Sequence, residues 1–379
     1  MKKMLSIVLM LALLGVSTVA FAGENTNNYA YLAQAYLEYI GGHLQDRNIT
    51  AIGEEVSEDN RHQATMDWIV GVLKDVGYDE AQIEVTSDEA ESWNGEKTYP
   101  VQNIVLSIEG RQTDRQVIVG AHYDGDGVGD NGSGIALLLA TAVGLYGQQP
   151  LYNAKLVFFD GEEYGLFGSR AYAASMTEEE IASTLYMVNM DALAFGDYCN
   201  LYGGTQNEDG TVTDTEAYEL ALAKADALGI NVMDTEALDG YYAENGEGPK
   251  ISALTVYTNP WTLANPAPLN ADYVSPATGD WSDHAPFKNA GIPYIYFEAT
   301  NWYAEGDGGE DAYTGYFETS NPEIGEYGMF MNTEHDTWAN LNEYFPNRSV
   351  DHFTIFSPIL SSLILNPADA EPFPAEAAE

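Results

Sequence analysis

Cysteine and basic residues are scarce in this 379-residue sequence. Cys199 is the only cysteine, which excludes intrachain disulfides as a source of stability. No histidine flanks it to activate the thiol, so a buried, unreactive side chain is favoured over a catalytic one. Lysine and arginine together number 14 against 59 acidic residues, a formal net charge of −45. Such an excess of negative charge argues against nucleic acid and anionic membranes as partners.

Long hydrophobic runs are also missing, apart from an apolar stretch near the start of the sequence. Residues 4–16 are apolar and follow two lysines, but they are too few for a comfortable transmembrane span. The small residues of Ala20-Phe21-Ala22 match a signal-peptide cleavage site, and no cysteine follows that could carry a lipid. We therefore expect a signal peptide at residues 1–22, no membrane anchor, and a mature chain that is secreted or periplasmic.

The remaining sequence alternates between strand-like and helix-like apolar patterns. This alternation is typical of an α/β domain in which helices cover both faces of a mostly parallel central sheet. We expect one such domain over residues 23–366, and a disordered tail rich in Pro, Ala and Glu over residues 367–379. The predicted strands are residues 101–108, 116–121, 157–159, 185–190 and 292–298, and the predicted helices include residues 29–40, 65–76, 133–146 and 213–227.

Three further predictions concern helix starts and loops. Thr177, with a glutamate three positions later, is typical of a capping box. Ser357 directly precedes a proline and predicts the N-cap of a final apolar helix over residues 358–365. Residues 239–249 and 259–280 are rich in Gly, Pro, Asn and Tyr, so we expect long loops that border the functional site.

The motif with the most chemical content is Asp160-Gly161-Glu162-Glu163, which directly follows an apolar predicted strand. Two adjacent carboxylates at a strand end point in different directions. One can therefore hold a metal ion while its neighbour faces the metal-bound water as a base. Spacing alone does not order the two, and we assign Glu162 as the base and Glu163 as the ligand.

A histidine and further carboxylates follow the other predicted strands. His122 is a candidate metal ligand, and Asp124 is placed to orient its ring from behind. Asp130 lies in a glycine-rich turn, where a carboxylate can bridge two metal ions or cap the helix that follows. Asp191 ends the next strand. Because each group stands at the carboxyl end of a strand, the pattern predicts a metal site at one edge of the sheet.

Other catalytic patterns fail or are missing from the sequence. Asp124-Gly125-Asp126 resembles the start of an EF-hand loop, but Ile135 stands at the twelfth position, where a glutamate is required. The sequence has no His-Glu-x-x-His, Cys-x-x-Cys, Gly-x-Ser-x-Gly or phosphate-loop motif. Ser282-Asp283-His284 contains the residue types of a catalytic triad, but consecutive residues do not adopt triad geometry.

Taken together and in this order, the His122, Asp130, Glu162-Glu163, Asp191 and Ser282–Phe287 segments resemble the M28 family of zinc metallopeptidases, whose members are mainly aminopeptidases. The resemblance implies a phosphorylase/hydrolase-like three-layer domain with two zinc ions. It implies an exported aminopeptidase that hydrolyses N-terminal residues from peptides with a free N-terminus. The implied roles are His122, Asp130 and Asp191 on one zinc, Asp130 and Glu163 on the other, Glu162 as general acid/base, Asp124 behind His122, and Asp283, His284 and Phe287 beside the substrate pocket.

One segment departs from the family pattern. The family's last ligand is usually the histidine of a His-Thr-x-x-Asp-Thr segment, and the corresponding residues here begin Asn332-Thr333-Glu334-His335. In simple register the ligand position is Asn332, and His335 takes the role only through a local shift. We expect His335 as the ligand, with a weakened second zinc site as the alternative.

Two other functions remain open on the same residues. The first is a glutaminyl-cyclase-like acyltransferase, a class that shares this fold, uses one zinc and needs no hydrolytic water. The second is a non-catalytic binding protein whose second metal site has decayed, a reading that Asn332 supports.

Overall fold

A mixed eight-stranded sheet forms the centre of the computed structural model. The model describes residues 27–209, 211–230, 256–257, 277–300, 318–319, 324–326 and 328–367. Across the sheet the strands are β1 (Ile83–Val85), β4 (Ile104–Ile108), β6 (Tyr152–Phe159), β5 (Gln112–His122), β7 (Thr184–Met190), β12 (Tyr294–Thr300), β8 (Tyr198–Tyr202) and β11 (Val256–Tyr257). Two small two-stranded sheets pair β2 (Asp88–Glu91) with β3 (Thr98–Val101), and β9 (Thr205–Gln206) with β10 (Val212–Thr213).

The four strands β6, β5, β7 and β12 run parallel at the middle of this sheet. Strands β4 and β8 flank them in the antiparallel direction. In register, His122 of β5 lies opposite Phe159, the last residue of β6. The carboxyl ends of these strands therefore meet at one edge, where Asp160 and Asp191 follow β6 and β7 directly.

Helices cover both faces of the sheet because its central strands are apolar on both sides. Within β5, Val117 and Val119 pack into the larger core, while Ile118 between them packs into the smaller core on the opposite face. The larger core is covered by α1 (Ala30–His43), α2 (His62–Val76), α3 (Gly132–Gly144), α6 (Glu216–Ala227), α8 (Trp338–Tyr344) and α9 (Arg348–Leu365), and the smaller by α4 (Phe167–Ser175), α5 (Glu178–Ser183) and α7 (His284–Asn289). The predicted three-layer α/β fold is confirmed.

The final helix differs from its prediction. Helix α9 begins at Arg348, so Ser357 and Pro358 lie inside it, and the predicted cap at Ser357 is wrong. The proline removes one backbone donor, which would leave the Thr354 carbonyl without its intrahelical partner. The Asn28 side-chain amide donates to that carbonyl at 3.2 Å, and the Ser357 hydroxyl accepts from the Tyr29 N–H at 2.7 Å. Contacts with the N-terminal segment thus accommodate the proline.

Two other local predictions have opposite outcomes. The Thr177 capping box is confirmed, because Thr177 and Glu180 exchange hydrogen bonds at the start of α5. The strand predicted over residues 101–108 is split into β3 and β4. Its break occurs where the Gln102 N–H donates to the Asp160 carboxylate at 2.8 Å and the Asn103 amide donates to the Gly168 carbonyl at 2.9 Å. The backbone there forms hydrogen bonds with the turn at Asp160, and so it leaves the strand-to-strand hydrogen bonding of the sheet.

Several predictions concern residues outside the described ranges. These are the signal peptide at residues 1–22, the loop at residues 239–249, nearly all of the loop at residues 259–280, and the tail beyond residue 367. Among the described helices, none has both the length and the apolar character needed to span a membrane.

Candidate metal centre

His122 is the centre of a cluster of acidic side chains at the carboxyl edge of the sheet. The ring is buried, and its Nε2 atom lies 3.3 Å from Asp191 Oδ1 and 3.9 Å from Glu162 Oε2. His122, Glu162 and Asp191 each offer one donor atom, and these three atoms lie within 4.8 Å of one another. We call this group the imidazole locus. One nitrogen and two carboxylates at this spacing are a donor set that zinc accepts.

Asp124 connects the imidazole to the turn that carries the two glutamates. Its Oδ1 atom lies 3.5 Å from His122 Nδ1, on the side of the ring away from the other carboxylates. Its two oxygens also accept the backbone N–H groups of Glu162 at 3.1 Å and Glu163 at 3.3 Å. Asp124 thus lies against the histidine ring and binds the turn through both oxygens; its role as the support of a metal-bound His122 stays a prediction.

Asp130 lies beside the same imidazole at the start of α3. It is 9% exposed, and its Oδ1 atom lies 3.2 Å from His122 Nε2 without the geometry of a hydrogen bond. The predicted capping role in this turn belongs to its neighbour Asn131, whose side chain accepts the Gly134 N–H at 2.9 Å. The Asp130 carboxylate is therefore left available to a cation.

A second carboxylate, Asp336, fixes the loop that carries Asp130. Its Oδ1 accepts the N–H groups of Val128 at 2.9 Å and Gly129 at 2.6 Å, and its Oδ2 accepts the Asp130 N–H at 2.9 Å. The fully buried Arg47 supports the same loop, since its guanidinium donates to the Gly127 carbonyl at 2.7 Å. The sequence showed Asp336 only as part of a motif, because its partners lie more than 200 positions away.

Asp191 is held by a polar chain that the sequence did not reveal. The Ser282 hydroxyl donates to Asp191 Oδ2 at 2.7 Å and in turn accepts from the Asn189 side-chain amide at 2.8 Å. These bonds orient the carboxylate so that Oδ1 faces the imidazole. Ser282 was noted only as a triad residue type, and nothing local marks it as a partner of Asp191.

A histidine also supports the turn that begins at Asp160. The His62 Nε2 atom lies 2.7 Å from Asp160 Oδ1, and the His62 ring stacks on Tyr123 with centroids 5.1 Å apart. Asp160 is fully buried, and the backbone N–H of Gln102 binds its other oxygen. His62 opens α2, so sequence distance again concealed the contact.

A cleft of about 200 Å³ adjoins Asp130 on the side of Glu163. We call it the carboxylate cleft. The Glu163 side chain lies against Gly125, whose φ is +86° and where an added Cβ would lie 2.8 Å from Glu163 Oε1. Glycine is therefore required at this position for both its conformation and its small size. The cleft is lined by Gln45, Asp46, Asp126, Gly127, Asp130, Glu163, Asn332, Thr333, Glu334, Asp336 and Thr337.

His335 is not among the residues that line the carboxylate cleft, although its neighbours in sequence are. Its ring is half-buried, and it joins no group of three potential metal ligands among the described residues. Asn332 does line the cleft, with a φ of +58°. The structure therefore places Asn332, and not His335, at the position that simple register assigns to the last ligand.

The three residues expected beside a substrate pocket are all buried. Asp283 is close enough to Glu162 for its charge to contribute to raising the pKa of Glu162. The His284 ring stacks between Tyr294 and Tyr296, and burial lowers the pKa of His284 to about 4. Phe287 packs in the smaller core against Phe159, with ring centroids 5.8 Å apart. None of the three lines the carboxylate cleft, and their place beside a substrate stays a prediction.

Negative charge is concentrated at the imidazole locus and around the carboxylate cleft. Burial first, with the nearby carboxylates adding to it, raises the pKa of Glu162 well above its usual range and raises that of Asp130. Glu163 keeps an exposed face, but burial of the rest of its side chain raises its pKa. The charge of Asp130 raises that pKa further. Burial lowers the pKa of His122, but the charges of Asp191 and Glu162 outweigh it and raise that pKa well above 6.5. A bound cation would relieve this repulsion, so the donor set fits a metal centre.

Comparison with known proteins supports the resemblance seen in the motifs. A family model for Peptidase family M28 matches residues 103–240, which contain His122, Asp130, Glu163 and Asp191. The chain is 34% identical over 103 residues to the probable lipoprotein aminopeptidase LpqL of Mycobacterium tuberculosis, a match that covers 26% of this chain and 21% of that protein. It is 26% identical over 239 residues to leupeptin-inactivating enzyme 1 of Streptomyces exfoliatus, covering 61% and 41%. The chain thus spans less than half the length of these two relatives.

Solved structures share the fold over most of the chain. A Zn-dependent exopeptidase from Parabacteroides distasonis superposes with a TM-score of 0.53 at 17% identity, covering 90% of this chain and 100% of that one. A glutaminyl cyclase from Tannerella forsythia superposes with a TM-score of 0.55 at 19% identity, covering 90% and 99%. At such low identity these matches establish the fold alone. The resemblance to M28 peptidases that the motifs predicted is confirmed by the family model.

Proposed function

We propose that this protein is an exported, zinc-dependent aminopeptidase. The observation that carries the proposal is the convergence of His122, Glu162 and Asp191 at the carboxyl edge of the sheet, with Asp130 beside them. A second support is the similarity to M28 peptidases, which extends over this region of the chain. Export rests on the sequence pattern of residues 1–22.

Zinc would be held by His122 Nε2 and Asp191 of the imidazole locus, together with Asp130 beside them. When bound there, zinc polarises a carbonyl and lowers the pKa of water toward neutrality. The protein's share is to keep these donors in place. Asp124 fixes the ring from its Nδ1 side, and the Ser282 hydroxyl fixes the Asp191 carboxylate.

Glu162 is the residue that we propose moves the proton. Its side chain is 11% exposed, and its Oε2 lies 3.9 Å from His122 Nε2, beside the ligands and not behind them. Glu162 would accept a proton from the attacking water and donate it to the amine that leaves when the peptide bond breaks.

The preference for a free N-terminus would come from the carboxylate cleft. Asp46, Asp126 and Glu334 add their charges to those of Asp130 and Glu163 around one opening. A peptide's α-ammonium group is attracted by such a concentration of negative charge, which one divalent cation would neutralise only in part, while an acylated N-terminus is not. This arrangement supports an exopeptidase over an endopeptidase.

The test is hydrolysis of a panel of aminoacyl-p-nitroanilides by protein stripped with a chelator and then reloaded with zinc. We expect no hydrolysis in the stripped protein, recovery with zinc, and no hydrolysis of the N-acetylated substrates. Full activity after metal has been shown to be absent would contradict the proposal. An inactive but zinc-loaded protein would favour a non-catalytic binding role.

A glutaminyl-cyclase-like acyltransferase is the second candidate, and Asn332 is the observation that favours it. An asparagine at the last ligand position fits a centre with one zinc, as expected for that class. The same zinc-loaded protein should then release ammonia from peptides with N-terminal glutamine and leave the p-nitroanilides of other residues intact. Hydrolysis of those p-nitroanilides without ammonia release would exclude it.

A further inference from the structure

The carboxylate cleft lacks the nitrogen donor that a second zinc site would need. The side chains around it that can bind a cation are Asp46, Asp126, Asp130, Glu163 and Glu334, joined by the Asn332 amide. All of them offer oxygen, and none of the described residues that line the cleft is a histidine or cysteine. Zinc prefers imidazole or thiolate in its set of ligands, whereas oxygen-only sets suit hard cations. The pair of zinc ions implied by the resemblance therefore does not fit this side of the centre.

Hydrogen bonds oppose the local shift that would bring His335 into the cleft. Asp336 is fastened to the Asp130 loop through three backbone N–H groups, and its own carbonyl accepts the Val128 N–H at 3.3 Å. On the other side, the His335 N–H donates to the Thr333 hydroxyl, and its carbonyl accepts the Asn340 amide. Moving His335 by three positions to replace Asn332 would break the bonds on both sides. Asn332 is therefore the residue that this segment presents.

The dimensions of the cleft also favour a hydrated cation. Glu163 belongs to no group of three described His, Cys, Asp or Glu side chains whose donor atoms converge within 4.8 Å, so the oxygens on its side surround the space without closing on one point. A volume of about 200 Å³ accommodates an ion together with water molecules. Ca²⁺ takes six to eight oxygen ligands, and carboxylates, side-chain amide carbonyls and water are its usual donors.

Asp130, which the two sides share, gives an independent indication that a cation belongs beside it. It is only 9% exposed, and its Oδ1 atom, 3.2 Å from His122 Nε2, has no hydrogen-bond partner. Buried carboxylate oxygens are normally hydrogen-bonded or bound to a cation. Because Asp130 contacts the imidazole locus through Oδ1 and also lines the carboxylate cleft, it is placed to serve a cation on either side.

We propose that the centre is heteronuclear: zinc at the imidazole locus, and a hydrated hard divalent cation, best matched by Ca²⁺, in the carboxylate cleft. The zinc half rests on the proposed function, whereas the Ca²⁺ half concerns binding alone. The two claims therefore fail separately. Loss of zinc binding would contradict the first, and the absence of a selective Ca²⁺ site would contradict the second.

The experiment is equilibrium dialysis of the chelator-stripped full chain against Zn²⁺, Ca²⁺ or both, with the metal bound per chain measured by elemental analysis. We expect one tight zinc with Zn²⁺ alone. With both ions present, we expect one zinc and one calcium, and equimolar zinc should not displace the calcium. Two tight zinc ions that excess Ca²⁺ does not displace would overturn the proposal.

Variants at Asn332 locate the calcium. Asn332→Gly retains the positive φ but removes the amide oxygen, so it should lose the calcium and keep the zinc. Asn332→His supplies an imidazole in a conformation that histidine tolerates, and should exchange the calcium for a second zinc. Circular dichroism establishes that both variants fold. Calcium binding that persists in Asn332→Gly and in Glu163→Gln would show an adventitious ion only and would overturn the proposal.

His335→Ala is the matched control for this series. It removes an imidazole from the same turn without touching the residues that line the cleft. We expect one zinc and one calcium, as in the wild type. Loss of a metal ion from this variant would make His335 a ligand after all and would refute the assignment to Asn332.

Discussion

The two halves of the metal centre are built in different ways, although they share Asp130. At the imidazole locus, His122 and Asp191 stand at the ends of adjacent parallel strands, and Glu162 comes from the turn after a third strand. The carboxylate cleft is instead closed by Asn332 and its neighbours, which belong to a turn attached through the Asp336 side chain. The imidazole locus is held by the strands of the sheet, whereas the carboxylate cleft depends on the hydrogen bonds of one side chain, Asp336. We therefore expect substitutions in the Asn332 turn to leave the imidazole locus intact, and the cleft to change its ion readily.

The largest effect should come from Glu162→Gln, which separates chemistry from metal binding. The change removes the base but retains the size of the side chain, so zinc should stay bound while turnover falls roughly 10²–10⁴-fold. Steady-state kinetics and metal analysis on the same sample measure both quantities. The matched control is Glu163→Gln, which should alter occupancy of the carboxylate cleft and leave zinc in place. If Glu163→Gln lost turnover at full zinc content instead, the two roles would have to be exchanged.

A second prediction tests how the imidazole locus is supported. Ser282→Ala removes the hydroxyl that donates to Asp191 Oδ2 at 2.7 Å. Losing such a support costs zinc sites roughly 10–100-fold in affinity, and we expect a drop of that size. Competition with a chelating dye measures it. Ser349→Ala, at another buried serine whose hydroxyl binds Gln34, is the control and should leave zinc affinity unchanged. Equal zinc affinity in the two variants would show that the Ser282 hydroxyl does not support zinc binding.

Substitution of Asp336 tests the difference between the imidazole locus and the carboxylate cleft, because the hydrogen bonds of Asp336 hold the turn that closes the cleft. Asp336→Asn retains one acceptor oxygen, so at least one buried N–H of the Asp130 loop loses its partner, at a cost of about 1–3 kcal/mol in the free energy of unfolding. Calcium affinity should fall more than zinc affinity, since the strand ends hold zinc. Denaturant unfolding and dialysis measure the two effects. Asp336→Glu tests whether a restored charge rescues binding. A uniform loss of both ions would contradict the separation of the two halves.

The smallest effect concerns the support behind the Asp160 turn. Burial lowers the pKa of His62, but the hydrogen bond that its ring donates to Asp160, together with the charge of Asp160, outweighs this and raises the pKa above 6.5 in the folded state. The protonated form then stabilises the fold fully below pH 6.5, and this stabilisation is lost as the pH rises through the folded pKa. The difference in melting temperature between wild type and His62→Gln should therefore be largest at low pH. His43→Gln, at an exposed histidine, is the matched control. A difference that stays constant between pH 5 and 9 would refute the charged pair.

The sequence revealed the half of the site that the sheet builds. His122, Glu162 and Asp191 follow apolar strands, and strand ends at one edge of a parallel sheet must meet. Periodicity and motif spacing thus carried enough information to group them. The same reasoning predicted the three-layer fold, which the structure confirms. It did not anticipate the antiparallel strands β4 and β8 on the flanks of the sheet.

The remaining contacts depend on packing between distant segments, which a local pattern does not encode. Ser282 binds Asp191 across 91 positions, and Asp336 binds Asp130 across 206. The choice between Asn332 and His335 likewise follows from a clamp formed by tertiary structure. The true start of α9 was missed because Asn28 and Tyr29 supply the partners that tolerate its proline.

Anomalous diffraction from crystals grown with both Zn²⁺ and Ca²⁺ would test the proposed heteronuclear centre most directly. Data above and below the zinc edge locate zinc without reference to activity. We predict one zinc peak, about 2.0–2.1 Å from His122 Nε2. The density in the carboxylate cleft should show no zinc edge and should have oxygen neighbours at about 2.3–2.6 Å, the distance typical of Ca²⁺. Two zinc peaks with His335 bound to one of them would contradict the account, as would the absence of zinc at His122.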